Sequence, residues 1–344
     1  MSGAVEVFLD ETPGETRGAI MRDGRYIHLL IHRQDDAVQT RLGARSVGRV
    51  IEVNPGLRGA FVDIAAPSAA FLPFPRNDRI TEGQRLEVVI VAEPRAGKGA
   101  AVRYVGPGEG TPRLIQPAPS IAEQLRDLTP GEESITGIAA IDAVIEAEEE
   151  ALAQSIGFAS HGIDLAIERT RALVAVDIDF ASTPGRDPKQ ARAAANREGL
   201  KQAARLIGLR NWGGLVVIDM AGDGQDAEAQ SKVARAAFSH EHQAIFGPVS
   251  RFGLLQMSLP WRRTPIEELL LDAGRRPSVQ TRAISVVRAL RRQLLADTLS
   301  PRIIARCAPD EALIAHPLAA RLGPRAVIQA DAAIPPGRGR IEEG

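Results

Sequence analysis

Leu215-Val216-Val217-Ile218-Asp219-Met220, directly after Gly213-Gly214, is the stretch on which the reading of this chain turns. Four apolar residues in succession, three of them β-branched, predict a strand buried on both faces. The run closes on a carboxylate, Asp219. A charge at the end of a buried strand is costly unless it is paired or holds a metal. A second run of the same kind, Ala172-Leu173-Val174-Ala175-Val176-Asp177-Ile178-Asp179, stands earlier in the chain. Residues i and i+2 of a strand share a face, so Asp177 and Asp179 are expected to point the same way. Residues 188–209, between the two runs, read as a helix with Ala and Leu on one side. Strand, helix, strand predicts a crossover that lays the strands side by side with their carboxylate ends together. Three carboxylates then converge, which suits a hard cation such as Mg²⁺ or Mn²⁺. The same residues also suit caps or salt-bridge partners, and the pattern alone does not name the reaction a metal would serve.

The whole chain sets the bounds. Its 344 residues, 44% of them apolar, predict two or three domains with real cores. No run of about 18 apolar residues occurs, so no transmembrane helix is expected. The N-terminus lacks the basic and apolar regions of a secretory signal, and a cytoplasmic protein is the expectation. The single cysteine, Cys307, excludes an intramolecular disulfide and a multi-cysteine zinc site. A net charge of −1 argues against bulk electrostatic attraction to nucleic acid. A local groove of a few basic and aromatic residues is compatible with it.

In chain order, residues 5–9, 15–21 and 26–32 read as a β-meander, with a turn at Arg22-Asp23-Gly24. His28 and His32 read as strand-surface residues. Residues 47–102 read as short strands split by Gly-rich turns, which suits a small barrel of the oligonucleotide-binding type. Phe61, Phe71 and Phe74 cluster there in a chain with only 4% aromatics. They either fill the barrel core or offer faces on which bases stack. Lys98 sits in a Gly-rich loop from which an amine can reach a phosphate. Residues 106–119 read as a connector and 142–153 as an acidic helix with a solvated face. Arg251, in the segment 249–258, reads as a strand-surface residue or a phosphate contact. Residues 277–295 read as a basic amphipathic helix with Arg288, Arg291 and Arg292 on its solvated side. A strand and a helix follow over 302–322, then an irregular tail from 335.

With these residues in view, the chain resembles the ribonuclease E / ribonuclease G family. Glu15-Thr16-Arg17 is similar to the family's opening, and Gly48-Arg49-Val50, Ala60-Phe61-Val62-Asp63-Ile64 and Ala70-Phe71-Leu72-Pro73 to its RNA-binding barrel. Val176-Asp177-Ile178-Asp179, residues 209–219 and residues 250–258 are similar to its catalytic module. The resemblance implies an α/β, multidomain architecture. An RNase H-like part (1–40 and 105–154) carries an OB-type barrel (41–104). A DNase I-like catalytic module (155–265) and a small C-terminal domain (278–344) follow.

The resemblance further implies a metal-dependent endoribonuclease that cuts single-stranded RNA to 5′-phosphate and 3′-hydroxyl ends. Asp177 and Asp219 match the two metal-binding aspartates. Asp179 stands where the family has Asn. Phe61, Phe71 and Lys98 match RNA-binding positions of the barrel, and Arg251 lies in a matching stretch. Magnesium is the implied cofactor, with manganese as the alternative. The Cys-x-x-Cys zinc link of the family is absent, so neither zinc nor a zinc-linked dimer is expected. The family's 5′-end pocket is absent in both halves: its intervening segment is missing, and Gln243 stands where it places an Arg. A catalytically weakened RNA-binding relative and a nuclease acting on DNA are the competing readings.

Overall fold

The computed structural model describes residues 4–74, 80–158, 163–180, 187–222 and 227–344. The fold is mixed α/β. The chain divides into two units, Met1–Glu148 with Thr264–Gly344, and Glu149–Arg263.

The first unit opens with an antiparallel meander, β1 (Val5–Thr12), β2 (Glu15–Arg22) and β3 (Arg25–Arg33). Next come β4 (Arg45–Asn54), β5 (Gly59–Asp63), β6 (Ala70–Pro73), β7 (Arg85–Ala92) and β8 (Ala101–Pro107). They pair in the order β5-β6-β8-β7-β4, and β4 pairs back onto β5, so the sheet closes into a barrel. Alternation along these strands turns Val50, Val62, Leu72, Leu86, Val88, Ile90 and Val102 into its core. The expected connector is partly strand: β9 (Arg113–Gln116) pairs with the free edge of β4. Short runs such as Arg113-Leu114-Ile115-Gln116 carry too little periodicity to stand out beside Gly and Pro. Helix α1 (Ile121–Leu128) follows, started by a capping box in which Ser120 and Glu123 satisfy each other's backbone amides. Then come β10 (Ser134–Ile135), parallel to β1, and helix α2 (Ile138–Leu152).

The second unit is built on one six-stranded sheet. Its strands are β11 (Ser155–Phe158), β12 (Ile163–Arg169), β13 (Val174–Phe180), β14 (Gly214–Asp219), β15 (Ile245–Phe246) and β16 (Leu255–Leu259), in the order β11-β12-β13-β14-β16-β15. Helix α3 (Pro188–Leu209) connects β13 to β14, and α4 (Ala227–Ala237) follows β14. The predicted crossover is present, and β13 and β14 run parallel. Burial alternates strictly in β12, β13 and β16. One sheet face is covered: Leu200, Ala203 and Ile207 of α3 are buried, as are Ile167, Val176, Ile178 and Ile218 of the sheet. The other face is open, and Leu215 on it is 46% exposed. The expectation of a β14 strand buried on both faces is therefore corrected. A run of apolar residues conceals which of them lie on the uncovered side.

The chain then returns to the first unit through α5 (Ile266–Leu270), α6 (Val279–Ala296), β17 (Ile303–Cys307), α7 (Pro309–Ala319), β18 (Ala326–Ala330) and β19 (Arg340–Glu343). The tail is not irregular throughout, because β19 pairs antiparallel with β17. The arginine side of α6 is not a solvated face either. Arg288 is 1% exposed and donates to Asp10 and Glu15, both wholly buried. Arg291 donates to Asp10, and Arg292 holds Asp142 of α2 bidentately at 2.6 and 2.9 Å. Glu15 also accepts from Arg17 and, at 2.8 Å, from Arg33. Arg33 in turn donates to the Thr281 hydroxyl at 2.7 Å. The acids of α2 are likewise engaged, with Glu148 accepting from Arg17 and Glu146 from the Tyr26 hydroxyl. Burying these charges is tolerable only because each finds several partners. The partners lie far apart in sequence, so periodicity within one helix reads such residues as solvated.

Candidate functional site

The open face of the second unit's sheet carries the acids. Asp177, midway along β13, and Asp219, the last residue of β14, are Cα partners across the parallel strand pair. Asp177 and Asp179 share the exposed face, as their spacing predicts. The structure adds a fourth acid, Asp164, the Cα partner of Asp179 on β12. Its signal was present in the alternation Ile163-Asp164-Leu165-Ala166-Ile167, which reads as a half-open strand. Successive same-face positions lie about 6–7 Å apart along a strand. Asp179 and Asp164 therefore stand one step beyond the Asp177–Asp219 pair. Among the described residues no three His, Cys, Asp or Glu side chains are placed to hold one metal ion. The expected three-carboxylate convergence is thus corrected to a side-by-side pair with two further acids beyond it.

Electrostatics follow from this row. Loss of surrounding water pushes the Asp177 carboxyl above the ordinary carboxylate range, and the charges of Asp179, Asp219 and Asp164 push it further. Among the described residues no cationic side chain figures in these influences. Such a pair fits a divalent cation whose remaining positions go to water and to substrate phosphate, since Mg²⁺ commonly takes only one or two protein carboxylates. The chain just past Asp219 is fixed by a residue the sequence reading missed. Asn196 of α3 donates to the Ala221 carbonyl and accepts from the Ala221 amide, both at 2.9 Å.

Arg251 lies in a turn, not on a strand surface. The Ser250 hydroxyl accepts from the Phe252 and Leu254 amides at 3.3 and 3.2 Å. Main-chain bonds from Ser250 to Leu254 and from Gly253 to Ser250 close the turn at 2.9 Å each, and Gly253 supplies the left-handed φ of 81°. Arg251 is exposed there. Gln243 accepts from Arg262 at 3.4 Å, and Arg262 also pairs with Glu241.

The first unit presents a separate set of residues. Phe61 and Phe71 are Cα partners on β5 and β6. Their rings meet edge to face at 5.6 Å between centroids and 61° between planes. Both are half-buried, whereas Phe74 packs against the barrel core. The three phenylalanines therefore divide: one serves the core and two lie at the surface. Lys98 is exposed on a tight loop closed by reciprocal main-chain bonds with Arg95. Gly99 lets that loop lie against the start of β6, since a Cβ there would meet the Ala69 carbonyl oxygen at 2.2 Å. The Phe71 amide donates to Ala100 at 2.8 Å, which brings the Lys98 loop beside the aromatic pair. Tyr104 on β8 is a further exposed aromatic of the barrel, 46% accessible.

Cys307 is buried in the small apolar core formed by α6, α7 and β17. Burial pushes its thiol up to about 11, with help from Glu311 and Asp310. No helix among the described residues is long and apolar enough to cross a membrane.

Residues 115–261 match the Ribonuclease E/G family. Ribonuclease G of Haemophilus influenzae is 35% identical over 118 residues, which is 28% of this chain and 24% of that protein. Ribonuclease E of the same organism is 35% identical over 114 residues, 32% of this chain and 12% of that protein. Ribonuclease E of Escherichia coli is 32% identical over 114 residues, 32% of this chain and 11% of that protein. The chain thus spans a quarter or less of the length of these curated relatives.

Proposed function

We propose that this chain, which matches the ribonuclease E/G family over residues 115–261, is a metal-dependent endoribonuclease acting on single-stranded RNA. The observation that carries this reading is the Cα pairing of Asp177 with Asp219 on an open sheet face, where the charges of Asp179, Asp219 and Asp164 act on Asp177. Asp177 and Asp219 would hold Mg²⁺, and Asp179 would orient the attacking water or the phosphate. When bound, the ion supplies Lewis-acid polarisation of the scissile phosphate. Manganese suits the same donors. The products expected from attack by water are 5′-phosphate and 3′-hydroxyl ends. In the barrel, Phe61 and Phe71 would stack on bases, and Lys98 would contact the backbone. Arg251 would take a phosphate at the catalytic sheet.

This reading assigns the barrel an oligonucleotide-binding role, the unit 149–263 the DNase I-like catalytic role, and the N-terminal meander with α1 and α2 the RNase H-like part. It places the protein in cytoplasmic RNA processing or decay. It includes no zinc, because Cys307 is a buried, protonated thiol and a structural zinc needs four ligands. A zinc-linked dimer is therefore not part of it. The test is incubation of the purified chain with single-stranded RNA and Mg²⁺, with and without EDTA. Mg²⁺-dependent scission to 5′-phosphate ends is expected. Cleavage unchanged in EDTA would overturn the metal role, and no cleavage in any divalent ion would overturn the reaction.

One observation favours a second reading, a catalytically weakened RNA-binding relative. Asp179 replaces the family's Asn and faces Asp164 across the strand pair, so two extra charges oppose an incoming phosphate.

Substrate entry follows from the same site. Gln243 is neutral and engaged with Arg262, so it cannot make the charge-assisted, bidentate contact of a guanidinium to a terminal phosphate. Cleavage is expected to be indifferent to the 5′ end. The measurement compares one RNA carrying a 5′-hydroxyl, monophosphate or triphosphate. A gain of roughly tenfold for the monophosphate, about 1.4 kcal/mol, would reveal a 5′-end sensor in this chain.

A further inference from the structure

Phe252 is 81% exposed, the most exposed aromatic among the described residues of the second unit. A phenylalanine held in water forgoes roughly 1.5–3 kcal/mol of burial, so the fold gains nothing by placing it there. Its backbone is nonetheless firmly built. The Ser250 hydroxyl and two main-chain bonds fix the turn from Ser250 to Leu254, and Phe252 is itself held through its amide.

The position of the turn gives the exposure its meaning. β16 runs antiparallel to β14 with Ile218 opposite Leu255. The residues just before Leu255 therefore lie beside Asp219 at the carboxylate end of the sheet. At about 3.3 Å per residue, the turn stands within roughly 10 Å of the Asp219 position along the strand direction. It offers an apolar ring and, next to it, the exposed guanidinium of Arg251. A flat apolar face beside a cation matches one chemistry in particular, a nucleobase joined to a phosphate. A protein partner would be expected to need a broader apolar surface than a single ring.

We propose that Phe252 is a stacking platform for the base that flanks the scissile phosphate of single-stranded RNA, with Arg251 on the adjoining phosphate. The inference rests on the ribonuclease reading and adds to it a second aromatic station, on the catalytic sheet itself. It makes Phe252 a determinant of where along a strand the phosphate comes to rest.

The test uses the full chain and a short fluorescent RNA with one main cut site. Phe252→Ala, Phe252→Trp and the parent are compared on this RNA and on copies carrying one abasic nucleotide at each flanking position. For Phe252→Ala, KM is expected to rise about tenfold with little change in kcat, and Phe252→Trp to stay near the parent. One abasic position should lower the parent's kcat/KM by a similar factor and abolish any further loss from Phe252→Ala. A penalty that is undiminished on every abasic RNA would overturn the proposal, as would parental behaviour of Phe252→Ala on the intact RNA. The same set is measured by fluorescence anisotropy in EDTA. If the parent binds but never cuts, the ribonuclease reading fails while the binding pattern still decides the role of Phe252. If the parent neither binds nor cuts, both fall.

Discussion

Asp177→Asn and Asp219→Asn should each lower Mg²⁺-dependent cleavage by on the order of 10³-fold, about 4 kcal/mol of transition-state stabilisation. Neither change should unfold the protein, because both side chains are exposed on the open sheet face. The sign of the stability effect is informative. In the metal-free chain the Asp177 carboxylate suffers desolvation and the charges of Asp179, Asp219 and Asp164. Neutralising it relieves that repulsion, so the metal-free melting temperature should hold or rise. The stabilisation that added Mg²⁺ gives the parent should vanish in the same variants, since a ligand stabilises only the state that binds it. Asp179→Asn, which restores the family residue, should keep or raise activity. Parental rates in both Asp177→Asn and Asp219→Asn would remove these residues from the site. A complete loss in Asp179→Asn would make Asp179 a ligand in its own right.

Glu15→Gln should instead damage the fold and leave no activity defect beyond the loss of folded protein. Burial alone would raise the Glu15 carboxyl, but Arg17, Arg288 and Arg33 outweigh it and hold it far below the ordinary value of 4.5. Removing the charge leaves three guanidiniums short of a partner, one of them, Arg288, only 1% exposed. Breaking a buried pair in this way typically costs about 3–5 kcal/mol. That is a large part of the 5–15 kcal/mol by which domains are stable. Urea unfolding should show it, and a loss below about 1 kcal/mol would mean that the network is not a unit. The pH dependence has a fixed sign. A depressed carboxylate contributes stability that is full above its unfolded value and is lost as pH falls towards its folded one. The parent should therefore lose stability progressively below about pH 4.5, and Glu15→Gln should lose less over that range.

The Asp177–Asp219 pair was legible because a crossover forces it. Two apolar runs ending in Asp, with a helix between, leave few other arrangements, and β13 and β14 adopt the expected one. Asp164 was legible in principle, since its strand alternates strictly, but its neighbour is fixed only by antiparallel pairing with β13. The open face was hidden by the composition of Leu215–Ile218, where an exposed Leu reads like a buried one. Arg251 was read as a strand-surface residue or a phosphate contact, and only the turn built on the Ser250 hydroxyl sets it and Phe252 in solvent. Arg288 was misread for the same reason as the acids of α2. Its partners, Asp10 and Glu15, lie more than 270 residues away, and no local pattern encodes them.

That separation has a consequence for synthesis. The ribosome delivers Asp10 and Glu15 well before Arg288. At 5–20 residues per second the interval is on the order of tens of seconds. Throughout it the N-terminal meander must keep two acids in water that it will later enclose. The segment 149–263 emerges meanwhile, with its own six-stranded sheet. Folding of the first unit is thereby held open until α6 has emerged. A nascent chain stalled before residue 279 would carry an unsealed first unit, a natural target for proteases that survey incomplete products.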